Sequence, residues 1–109
     1  MNWKAARILL ASAMALMGSS GQVFAQSVPL WLSAKITKIY ADPSDVVLEL
    51  GSNGPCGSNL FHIRRSATNF QEMTALMYTA AATGRFIDLY ITSCDGQRNI
   101  ISHGAAQFP

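Results

Sequence analysis

The sequence is poor in charge, in cysteine and in histidine. Of its 109 residues only 13% are charged, two are cysteine and two are histidine. Few charges beside a 50% hydrophobic content exclude a disordered chain, which buries too little apolar surface to fold. A net charge of +2 excludes a strongly basic nucleic-acid binder. No apolar run reaches the roughly 20 residues that a helix needs to cross a bilayer. One domain fits the length and two do not, since independent domains usually need about 100 residues each. Internal repeats, linkers and low-complexity tracts are missing. So are the nucleophile elbow, the HExxH helix and the phosphate loop.

What is present begins with an address. Lys4 and Arg7 precede an apolar run from Ile8 to Met17, and a small-residue stretch follows from Gly18 to Gly21. Val23-Phe24-Ala25 then supplies branched or small residues at the −3 and −1 positions of a cleavage site before Gln26. This is the layout of a secretory signal peptide over residues 1–25, and its apolar run is too short for a membrane anchor. The remaining residues, 26–109, form a single domain that is exported to the periplasm or released. Lys4 and Arg7 are the whole charge excess: residues 26–109 carry six Lys and Arg and six Asp and Glu. The exported part has no electrostatic bias toward polyanions.

Both cysteines, Cys56 and Cys94, lie in that part. An oxidising compartment favours their pairing, and closing a loop of about 39 residues is worth roughly 3–4 kcal/mol. The alternatives are a metal pair or a catalytic thiol. Two distant cysteines without a helping motif make a weak metal site.

Hydropathy periods give the element order. Leu32, Ala34 and Ile36 alternate with Ser33, Lys35 and Thr37, which predicts a strand over Trp31–Tyr40. The alternation slips after Lys38, as at a bulge. Ala41-Asp42-Pro43-Ser44 is a turn. Val46–Leu50 is a second strand, with Val46, Leu48 and Leu50 on one face and Val47 and Glu49 on the other. A Gly- and Asn-rich loop follows, then a short strand over Leu60–Ile63. Phe70, Met73, Leu76, Met77, Ala80 and Ala81 recur at helical spacing, predicting one helix over Thr68–Thr83. Thr68 with Gln71, and Asn69 with Glu72, satisfy the capping-box spacing, and Gly84 stands at the stop. In the next strand Ile87, Leu89 and Ile91 face one way and Asp88, Tyr90 and Thr92 the other. Asp95-Gly96 is a hairpin turn, and Asn99–Phe108 the last strand. The order β-β-β-α-β-β predicts a mainly β fold, a sheet curled around one helix as in an OB-like, partly open barrel.

Chemistry is sparse. His62 and His103 are far apart, and a hydrolase built on either needs a serine and an aspartate brought together in space. Arg64-Arg65 reads as a solvated strand end. The outward faces of the first and fourth strands carry hydroxyls, charges and an aromatic ring: Ser33, Lys35 and Thr37 on one, Asp88, Tyr90 and Thr92 on the other. A sugar site uses such groups, a ring face for stacking and fixed hydrogen-bond partners. An ordinary polar sheet face has the same composition.

The pattern also resembles a family. It runs from Leu32-Ser33-Ala34-Lys35-Ile36-Thr37 through Leu48-Glu49-Leu50-Gly51 and Cys56. It continues through the helix from Met73 to Ala81, Ala82-Thr83-Gly84-Arg85, and Ile87-Asp88-Leu89-Tyr90 leading to Cys94. Order and spacing over residues 31–103 are similar to the B subunits of five-B-subunit bacterial toxins, the subtilase cytotoxin and typhoid toxin branch, and to small exported bacterial proteins of that pattern. The resemblance implies an OB fold, an intrachain disulfide, often a ring of five subunits, and in toxins an exported A-type enzyme subunit. In toxin members the subunit binds sialylated glycans on host cells. Ser33 matches a contributing serine in the first strand, and Tyr90 a tyrosine in the strand after the helix. The acidic residue that precedes that serine in toxin members has no counterpart in residues 26–32.

The expectation is therefore an exported, non-catalytic binding module for a surface glycan, with Ser33, Lys35 and Tyr90 as candidate contacts and no cofactor, metal or nucleic acid. A periplasmic protein-binding accessory or inhibitor module is the alternative.

Overall fold

In a computed structural model that describes residues 27–108, five strands surround one helix. The signal peptide expected over 1–25 lies outside the described residues. Strands β1 (Leu30–Ala41), β2 (Asp45–Leu50) and β3 (Leu60–Arg64) are followed by helix α1 (Phe70–Ala82), then β4 (Phe86–Asp95) and β5 (Arg98–Ala106). The mainly β fold with one helix follows from the periods: residues at every second position are buried in β4, where Ile87, Leu89 and Ile91 are wholly inaccessible. The strands close in the order β1-β2-β3-β5-β4, an order compatible with an OB-like barrel. Every pairing is antiparallel except β3 with β5, which is parallel and short. Only Phe61 with Asn99 and His62 with Ile100 make that seam.

The helix stripe reads as expected. Met73, Met77 and Ala80 are buried against the barrel interior, and Phe70 and Leu76 pack at its margin. Thr74 is buried with them because its hydroxyl donates to the carbonyls of Phe70 and Gln71. The stop is a Schellman turn: Gly84 has φ +65, the Arg85 N–H reaches the Ala80 carbonyl and the Gly84 N–H the Ala81 carbonyl. The start differs from expectation. Asn69 is the N-cap residue, yet no side chain caps the helix. Its amide instead donates to the Ser102 carbonyl at 3.0 Å, tying the helix entrance to β5.

The bulge in β1 also sits elsewhere than the alternation placed it. Ile36 pairs with Leu50 and Lys38 with Glu49, so the extra residue is Thr37. Its hydroxyl donates to the Glu49 carbonyl at 3.0 Å, occupying a group that the interrupted ladder leaves over. β2 is buried on both faces: Leu48 and Leu50 enter the core, while Asp45 and Val47 are buried on the other side. Cys56, in the loop after β2, is bonded to Cys94 at the end of β4. The disulfide expectation holds, and it excludes a metal pair or a free catalytic thiol among these residues.

Candidate functional site

The outer face of β1, β4 and β5 is a ruled surface, with each row set by strand register. Trp31 pairs with Tyr90, and Tyr90 with His103. Their rings form one aromatic row. The centroids of Trp31 and Tyr90 lie 4.9 Å apart with the rings tilted by 39°, and His103 meets Tyr90 edge-on at 5.7 Å. Cross-strand aromatic pairs of this kind contribute about 0.5–1.5 kcal/mol beyond their buried area, so the row is held in place. Trp31 nevertheless remains 56% exposed. A large indole left this open offers a stacking face to something outside the chain.

The next row is Ser33 opposite Asp88 opposite Ala105. The Ser33 hydroxyl donates to the Asp88 carboxylate. The Gln107 amide donates to the same carboxylate, at 3.1 and 3.2 Å from its two oxygens. Asp88 is thus fixed from both sides beside the aromatic row. It supplies a carboxylate next to Ser33 from across the sheet, where residues 26–32 of the same chain have none. In the third row Lys35 pairs with Phe86, and its ammonium lies 5.1 Å from the centre of that ring. Beyond it Arg85 lies over the Phe108 ring, with its Nε buried and unpartnered.

The three residues singled out in the sequence therefore share one face. Ser33 and Tyr90 stand in adjacent rows. Lys35 is one row further on, separated from Tyr90 by the Ser33–Asp88 pair. Trp31 was legible in principle, because it lies two residues before Ser33 and so on the same side of the strand. His103 was not, since its place beside Tyr90 depends on β4–β5 register, which shifts twice around Ile91.

The two histidines do not form hydrolytic triads among the described residues. His62 is 4% exposed, and its Nδ1 lies 2.8 Å from the Asp45 carboxylate, which is 2% exposed. Its Nε2 is buried and has no partner, so no hydroxyl stands where a nucleophile would. His103 meets the neighbouring Ser102 hydroxyl at 2.6 Å through Nδ1, with no carboxylate on its ring. No group of three or more metal-ligating side chains occurs among the described residues, and no helix among them is long and apolar enough to cross a membrane.

Beside the barrel seam lies a second feature, a cleft of about 450 Å³ between the β3–α1 connection and β5. Arg64 stands at its edge, donating to Asp95 at 2.7 Å. That hydrogen bond, and the guanidinium charge behind it, hold the exposed Asp95 carboxyl below the usual carboxylate range.

Compared with known proteins, the chain matches no family model, no curated protein sequence and no solved structure.

Proposed function

We propose that the chain is an exported, non-catalytic binding module that recognises a cell-surface glycan, as the toxin B subunits it resembles do. The observation that carries the reading is the exposed aromatic row, Trp31 with Tyr90, backed by the Ser33–Asp88–Gln107 network. Sugar recognition needs a ring face that accepts the apolar side of a pyranose and polar groups already oriented for its hydroxyls. Both are supplied by rigid strands, so little side-chain entropy is lost on binding. Ser33 and Tyr90 are the contacts that the resemblance also assigns, and Lys35 extends the face by one row.

A glycan array probed with wild type and with Trp31→Ala, Tyr90→Ala and Ser33→Ala tests the reading. Wild type binds a defined set of spots. Each ring deletion lowers that binding at least about tenfold, the loss of one good contact, while the barrel still unfolds cooperatively, at a midpoint a few degrees lower because the ring pair is lost. Wild type binding no spot overturns the proposal. Capture of a defined periplasmic protein by a Trp31-independent surface would replace it with the accessory or inhibitor reading.

A further inference from the structure

We infer that the cleft between the β3–α1 connection and β5 is a second, uncharged sugar subsite, so that the ligand is an oligosaccharide lying across the strands from β1 toward β5. The inference rests on the glycan reading above and deepens it.

His103 belongs to both features. Its ring closes the aromatic row against Tyr90, and the same residue lines the cleft. Adjacent strands lie about 4.8 Å apart, so the row from Trp31 to His103 crosses about 10 Å of sheet. That is longer than one pyranose ring, and its far end opens directly into the cleft. A ligand stacked on Trp31 and Tyr90 is therefore led over His103 by the row itself.

The cleft exists because the seam is short. β3 ends at Arg64 while β5 runs on to Ala106, and residues 66–69 of the β3–α1 connection line the cleft together with residues 100–103 of β5. One hydrogen bond ties its two sides together, from the Asn69 amide to the Ser102 carbonyl. Ile100 and Ile101 supply an apolar side. The volume, about 450 Å³, falls in the range of small-ligand sites.

The polar groups in it select the ligand chemistry. Ser66, Thr68 and Thr92 line the cleft, and all three are exposed, so their hydroxyls are open to a ligand. Each both donates and accepts, as a sugar hydroxyl does. Arg64 is the cation in the lining, and it is already paired with Asp95. A bare anion would find that charge balanced, whereas a neutral, hydroxyl-bearing sugar would find several hydroxyl partners and an apolar side. The chemistry therefore points to a neutral sugar residue in the cleft.

The test uses a printed array carrying galactose, glucose, N-acetylgalactosamine and N-acetylneuraminic acid, each as a single glycoside and as its di- and trisaccharide extensions. Wild type should bind an extended glycan at least about tenfold better than the single glycoside at its stacking end. Ser66→Trp, which fills the cleft, should bring the extended glycan down to the level of the single glycoside and leave the latter unchanged. The double variant Thr68→Val with Thr92→Val, which removes hydroxyls with little change of volume, should lower the gain in the same direction. Extended and single glycosides binding equally to wild type would overturn the subsite while leaving the glycan reading intact. So would an extension gain that survives in both variants. Binding to no spot at all would overturn both. Thermal unfolding of each variant confirms that the barrel is retained.

Discussion

Single polar residues decide more of this barrel than its apolar pattern indicates. Asn99 is wholly buried, donates to the carbonyls of Ser58 and Leu60 at 3.0 and 2.8 Å, and accepts the Cys56 N–H at 2.9 Å. It thereby pins the loop that carries the disulfide. Truncating it leaves these buried backbone groups unpaired, so Asn99→Ala should cost about 2–4 kcal/mol by urea unfolding. Gly54 presses on the same residue: a Cβ there would lie 2.5 Å from the Asn99 Oδ1 and 2.7 Å from the Phe61 Cζ. Both neighbours are held firmly, so Gly54→Ala should cost about 1–3 kcal/mol in the same measurement. Neither role was legible in sequence, where Asn99 is the first residue of a strand and Gly54 one of several loop glycines. A titration prediction belongs here too. Arg64 lowers the pKa of Asp95, so the pair favours the folded state above the ordinary carboxylate pKa, and that contribution fades as pH falls through the folded value. An NMR titration should place Asp95 below 3.8 in wild type and move it back toward that value in Arg64→Gln.

At the scale of elements, the helix and β4 were the most legible parts, because each has a strong period and one buried face. The helix stop was legible for the same reason: glycine alone enters the left-handed region freely, and Gly84 follows the last apolar turn. The start was not, since Asn69 has both a capping side chain and a better use for it on β5. The two helix-contacting glycines should differ in kind. At Gly84 a Cβ meets nothing within 4 Å, and only the backbone opposes it. Gly84→Ala should therefore cost about 1 kcal/mol in thermal unfolding. At Gly104 a Cβ would come within 2.9 Å of the terminal methyls of Met73 and Met77. Those ends are flexible, so Gly104→Ala should cost under about 1 kcal/mol, whereas Gly104→Leu would drive the helix off the sheet and cost at least about 3 kcal/mol. The rows on the β1–β4–β5 face were half legible. Alternation fixed which side Ser33, Lys35 and Tyr90 occupy; only pairing register put Asp88 against Ser33 and His103 against Tyr90.

For the whole molecule, small size makes the disulfide matter, since a core built from about 80 residues leaves little reserve. Cys56 and Cys94 are 38 residues apart in the chain. Reduction should lower the unfolding free energy by roughly 3–4 kcal/mol, seen as a fall in urea midpoint on adding a thiol reductant. The short β3–β5 seam gives the same molecule its cleft, so the two candidate binding features have different origins: one is an ordered sheet face, the other a gap in the sheet's closure. Element order, the inward and outward faces, the helix stop and the partners in the disulfide could all be read along the chain. Those follow from local periods, from the left-handed preference of glycine and from the number of cysteines. The bulge at Thr37, the aromatic row, the carboxylate beside Ser33 and the cleft beside His103 arise from strand pairing. Each depends on which residue of one strand stands opposite which residue of another, and a register set by the sum of many long-range contacts leaves no mark in any one stretch of chain.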